Sequence, residues 1–119
     1  MFYKKLNDAT EFVAGDHTKL KEIMHPLHDN VSIGYSLAHA RVEVGQASLP
    51  HQLKGSETYY ILDGKGEMHI DNKSFEVNKD DVFLVPPNAS QYIKNIGQKD
   101  LVFLCIVEPY WQEEEEEIF

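Results

Sequence analysis

The sequence predicts an all-β domain, an antiparallel sandwich or barrel, on three observations. From residue 32 onward the apolar residues recur mostly at every second position. Turn residues break that pattern into many short segments. The one helix-spaced stripe, Leu20, Ile23 and Met24, is short and poorly capped, so it reads as a strand followed by a loop through His25-Pro26.

Each element has its own reason. Ser36 to Val44 places Ala38, Ala40, Val42 and Val44 on one face and Leu37, His39, Arg41 and Glu43 on the other. The inward residues are small, which leaves room for a pocket. Tyr59 to Leu62 forms the next strand, and Asp63-Gly64-Lys65-Gly66 reads as a tight hairpin turn. In Glu67 to Ile70, Met68 and Ile70 alternate with Glu67 and His69. Asp71-Asn72 makes a second hairpin turn, because both residues tolerate positive φ. Phe75 and Val77 mark the following strand. Val82 to Val85 ends at Pro86-Pro87-Asn88, since two prolines cannot continue a central ladder. Gln91 to Asn95 and Leu101 to Val107 complete the series around a turn at Gly97.

At 119 residues the chain is one domain. Residues 1–112 read as a single barrel domain with an N-terminal extension over 1–35, and 113–119 as an acidic tail. The net charge is -9, from 20 acidic and 11 basic residues, and Glu113 to Glu117 is an unbroken acidic run. That run reads as a self-repelling, solvated terminus. With no basic face, nucleic acid is not expected as a partner. No apolar run approaches the roughly 20 residues of a membrane span, and no secretory pattern opens the chain, so the expected location is cytoplasmic. Cys105, the single cysteine, sits within LVFLCIV and reads as a small core hydrophobe.

The chemistry concentrates in HQLKGSETYYILDGK, residues 51–65. His51 and Glu57 are suited to hold a metal ion, yet Leu53 stands where a second ligand would be expected. Gly45, His51, Glu57 and Gly64 fall at the spacings of the first cupin signature, with Leu53 in place of its second His. Asp80 to Asn95 is similar to the second signature. There Pro86 and Asn95 match, Asp80 and Asn88 replace glycines, and Gln91 replaces the last His. Asp and Asn enter the left-handed region more easily than other non-glycine residues. The stretch therefore resembles the cupin superfamily, and SLAHA, SETYYILDG and LVFLCIVEPYW resemble small prokaryotic members labelled similar to mannose-6-phosphate isomerase.

The resemblance implies a double-stranded β-helix (jelly-roll) barrel with His51, Glu57 and Gln91 at the metal positions. One imidazole, one carboxylate and one amide oxygen could hold a divalent zinc, manganese, iron or nickel ion. Alternatively, His51 and Glu57 form a hydrogen-bonded pair with no metal. The expected ligand is a small polar molecule such as a sugar or carboxylic acid, lying near Leu53, Tyr59 and Gln91. If the protein is an enzyme, His51 and Glu57 are the acid/base groups of an isomerase- or epimerase-like proton transfer. The alternative is a non-catalytic binding or sensing module. A dioxygenase ranks third, because iron-dependent oxygen activation commonly uses two His and a carboxylate. His39 and His69 read as surface residues, His25 and His28 as loop residues near the barrel mouth, and Trp111 as packing on the outside. Gly64-Lys65-Gly66 lacks the helix of a phosphate-binding loop, and no serine triad is readable. A homodimer is expected, since paired barrels hide sheet edges.

Overall fold

The computed structural model describes every residue from Met1 to Phe119. The strands are β1 (Phe12–Val13), β2 (Lys19–Met24), β3 (Ser36–Val42), β4 (His51–Leu53), β5 (Ser56–Asp63) and β6 (Lys65–Ile70). After them come β7 (Lys73–Asn78), β8 (Val82–Val85), β9 (Gln91–Asn95), β10 (Leu101–Glu108) and β11 (Glu116–Ile118). A six-stranded sheet has the order β1-β2-β3-β10-β5-β8, and a five-stranded sheet the order β11-β4-β9-β6-β7. Every pairing is antiparallel, and the two sheets form the expected jelly-roll barrel. No helix is long and apolar enough to cross a membrane.

Alternation builds the core. On β10, Leu101, Phe103, Cys105 and Val107 point inward, and Ala40 and Val42 from β3 join them. Tyr59 and Ile61 arrive from β5, Met68 from β6, Val77 from β7 and Ile93 from β9. Phe103 stacks on Tyr59 with centroids 5.2 Å apart. Burying each large apolar side chain stabilises the fold by about 1.5–3 kcal/mol, so this layer dominates the stability.

Turn chemistry follows the residues. Asp71, Asp80 and Asn88 have φ of 51°, 71° and 66°, as their side-chain types allow. Asp71-Asn72 joins β6 to β7 with Ile70 opposite Lys73. Asn95 organises the turn at Gly97: its Nδ2 donates to the carbonyls of Val42 (2.9 Å) and Lys99 (2.8 Å), and its Oδ1 accepts from Gly97 N–H at 2.8 Å.

Several expectations are corrected. Asp63-Gly64-Lys65-Gly66 is not a hairpin turn, because β5 and β6 lie in different sheets. Gly64, with φ of +88°, is the corner at which the chain changes sheets, pressed against the Asp100 carbonyl. Val44 is exposed, since β3 ends at Val42 and the chain turns at Gly45, where φ is +78°. His51 on β4 and Glu57 on β5 belong to opposite sheets, and both line the interior cavity.

The glutamate run keeps Glu113, Glu114 and Glu117 exposed, yet it is folded onto the barrel. Glu113–Glu115 form a 3-10 turn, and β11 pairs with β4, placing Glu116 opposite Leu53 and Ile118 opposite His51. The reason is the edge of β4. That strand meets β9 at a single pair, His51 with Gln91, and its other backbone groups need partners. The N-terminal residues also join the sheet, through β2 on β3.

Candidate functional site

Between the sheets, the small side chains of β3 and the short β4 leave a cavity of about 130 Å³. Its wall draws on β2, β3, β4, β5, β9 and β10, on the segment before β2, and on Trp111 and Glu116. Most of the lining is apolar, including Leu20, Leu53, Ile93, Phe103 and Val107.

His51 is 2% exposed and sits on this wall. Its Nδ1 lies 2.7 Å from the Leu49 carbonyl. A carbonyl only accepts, so Nδ1 carries the proton and donates. Nε2 makes no hydrogen bond; the Asp16 carboxylate is near it, with Oδ2 at 3.6 Å. Asp16 is held by its other oxygen, which accepts from Thr18 N–H at 3.1 Å and Thr18 O–H at 2.7 Å.

Glu57 is 7% exposed, and burial pushes its carboxyl up to about 7. His51 opposes that rise, the Asp16 charge adds to it, and the Cys105 thiol and Gln91 amide oppose it further. Gln91, 1% exposed, donates from Nε2 to Glu57 Oε1 at 3.0 Å. Its Oε1 accepts from the Tyr59 hydroxyl at 2.5 Å. Tyr59, Gln91 and Glu57 therefore form one buried chain of hydrogen bonds. Burial, with Glu57 adding to it, raises both the Tyr59 hydroxyl and the Cys105 thiol well above their ordinary values. Cys105 faces the cavity as a protonated thiol.

Of the residues expected at the site, His51, Leu53, Glu57 and Tyr59 all line the cavity, and Gln91 stands behind Glu57 and Tyr59. A metal ion on His51, Glu57 and Gln91 would compete with bonds that these side chains already make. Gln91 turns its amide nitrogen toward Glu57, and its oxygen serves Tyr59. The group whose ligand atoms lie within 4.8 Å of one another, and which could hold a metal ion, is Glu22, His25 and His28. An ion there must break existing bonds. His25 Nε2 donates to the Trp111 carbonyl at 2.7 Å, and its Nδ1 accepts from Leu27 N–H at 3.2 Å. His28 Nδ1 bonds Glu22 Oε1 at 2.7 Å.

Sequence reasoning missed Asp16, Trp111 and Glu116 as wall residues. Trp111 was expected outside; it turns inward because its N–H bonds Ser36 Oγ at 2.9 Å and its carbonyl holds His25. Trp111 Nε1 donates to Glu116 Oε2 at 3.4 Å. Burial, with Asp16 adding to it, raises the Glu116 carboxyl, and the His51 ring opposes that rise. His25 is buried against the wall, whereas His28 is exposed and His69 stacks on Tyr92 away from the cavity.

Residues 38–107 match the family model described as Cupin domain. The chain is 39% identical over 110 residues to an uncharacterized protein of Methanocaldococcus jannaschii, covering 90% of this chain and 86% of that one. It is 30% identical over 92 residues to the oxalate-binding protein of Thermotoga maritima, covering 76% of this chain and 71% of that one. A solved structure of a predicted oxalate decarboxylase from Thermotoga maritima superposes with a TM-score of 0.78 at 21% identity, covering 91% of this chain and 99% of that one.

Proposed function

The chain belongs to the cupin domain family, and on that footing we propose that its cavity binds a compact organic ligand against His51 and Glu57. The observation that carries this reading is one buried cavity presenting an imidazole with an unbonded Nε2 and a carboxyl that ionises near 7. At neutral pH such a carboxyl is present in both forms, which suits it to give and to take a proton.

A ligand with a C–H beside a carbonyl would be isomerised or epimerised here. His51 Nε2 takes the proton from one carbon, and protonated Glu57 returns one to the neighbouring carbon or the opposite face. Tyr59 and Gln91 keep the Glu57 carboxyl in place. Positioned proton transfer of this kind contributes roughly 10²–10⁴-fold. The second reading, a non-catalytic binding module, is favoured by the hold of Gln91 on Glu57.

Solvent exchange separates the two. In deuterium oxide, a bound hydroxy-aldehyde or hydroxy-ketone should gain deuterium beside its carbonyl, followed by NMR. His51→Ala and Glu57→Gln should each slow this by roughly 10²-fold or more. Binding without exchange would leave the binding module as the function, and equal exchange in both variants would remove these residues from the chemistry. The relative named for oxalate binding suggests a dicarboxylate, but the wall here carries Asp16, Glu22, Glu57 and Glu116 and no Lys or Arg. A free dianion is mismatched to that wall.

We also propose a homodimer. The outward face of the six-stranded sheet carries Val82 and Leu84, 63% and 56% exposed, beside Tyr60 and the outer residues Leu104 and Ile106 of β10. An outer face normally alternates to polar residues, so this apolar row fits a second copy. Solution scattering should return twice the mass of one chain, and Leu84→Lys should return the monomer mass. A monomer for the unaltered protein would refute the pairing.

A further inference from the structure

We infer that the cavity is built for a small primary amine on an apolar body, a proposal that rests on the ligand-pocket reading above and names the ligand's class. The volume sets the size. An engineered apolar cavity of about 150 Å³ takes benzene, so about 130 Å³ suits a ligand of five or six heavy atoms. The apolar wall from Leu20, Leu53, Phe103 and Val107 matches a hydrocarbon body.

Charge and hydrogen-bonding capacity set the polar end. Four carboxyl groups line the cavity without a single Lys or Arg. His51, 2% exposed, has spent its Nδ1–H on the Leu49 carbonyl and holds an unbonded Nε2 beside Asp16 Oδ2. That polar end has acceptors in excess and few donors. An ammonium group brings three N–H donors and a positive charge, one donor for the imidazole lone pair and two for the carboxylates of Asp16 and Glu116. A hydroxyl brings one donor and no charge. A carboxylate brings none and meets like charge. Trp111 and Phe12 on the wall add aromatic faces, which attract cations.

The test compares three ligands of nearly one size: n-butylamine, 1-butanol and butyrate. Each is titrated at pH 7 in low salt with a chelator present and followed by calorimetry and by Trp111 fluorescence. Butylamine should bind about tenfold or more tightly than butanol, and butyrate should not bind. Asp16→Asn keeps the oxygen that accepts from Thr18 and should weaken butylamine about tenfold while leaving butanol unchanged. Glu116→Gln, which keeps an acceptor for Trp111, should act in the same direction and guards against misfolding of the first variant.

Butanol binding as tightly as butylamine would overturn the amine assignment and leave the pocket reading standing. So would butyrate binding in the presence of zinc or manganese with no amine binding in their absence. Failure of all three to bind would overturn both.

Discussion

Glu57→Gln is expected to stabilise the fold at pH 8 by on the order of 3 kcal/mol, while slowing the proton transfer proposed for the cavity by roughly 10²-fold or more. In the folded chain this carboxyl ionises near 7 rather than its ordinary 4.5, chiefly because burial disfavours the charged form. A tenfold change in proton affinity is worth about 1.4 kcal/mol, which gives the magnitude. The sign follows from proton counting. Between 4.5 and 7 the folded state holds the proton and the unfolded state has released it, so raising the pH draws the chain toward unfolding. The fold is therefore free of this penalty below 4.5, loses stability up to about 7, and is flat in this contribution above that. Glutamine removes the ionisation and can still accept from Gln91 Nε2. Urea unfolding of both proteins at pH 5 and pH 8 isolates the effect, because other carboxylates contribute equally to each. Parallel pH curves would show that Glu57 ionises normally. A stabilised but slowed variant would mean that the cavity gives up stability to keep a neutral-pH carboxyl.

Gly64→Ala should destabilise the fold by about 3 kcal/mol or more. At φ of +88° an alanine is strained, which costs roughly 1–2 kcal/mol. The added Cβ would also lie 2.6 Å from the Asp100 carbonyl oxygen and 2.9 Å from Leu101 Cα, both backbone atoms that cannot turn aside. Gly45→Ala is the control. Its φ of +78° carries the same strain, yet a Cβ there meets nothing within 4 Å, so the cost should stay near 1 kcal/mol. Urea midpoints that coincide for the two variants would refute the steric account of the corner.

Much of the barrel was legible because period-two alternation reports directly on which side chains face inward. Ala38, Ala40 and Val42, and Met68 with its neighbours, follow from that alone. The residues standing where glycines were expected, Asp80 and Asn88, announced left-handed turns by their chemistry, and both have positive φ. Alternation does not say to which sheet a strand belongs. For that reason Gly64 read as a hairpin turn, and the placement of His51 and Glu57 on opposite sheets was not readable.

The site was legible in part for a similar reason. His51, Glu57, Tyr59 and Gln91 stood out as polar or aromatic groups at inward positions. The orientation of Gln91 was not readable, because it is decided by the Tyr59 hydroxyl, which needs an acceptor, and by Glu57, which takes the amide N–H. Asp16 lies in an ordinary Asp-x-Thr turn with no sign of what its second oxygen faces. Glu116 was hidden in a charge run without periodicity, and its role depends on the open edge of β4, far away in the chain.

Asp16 and Glu116 stand one hundred residues apart in the chain and act on the same imidazole. Closing that distance brings both ends of the chain to one cavity wall. A ligand bound as proposed would touch residues from both ends of the chain. Its binding would favour the state with both ends docked on the barrel, so hydrogen-exchange protection of β1 and β11 should rise with occupancy of the cavity.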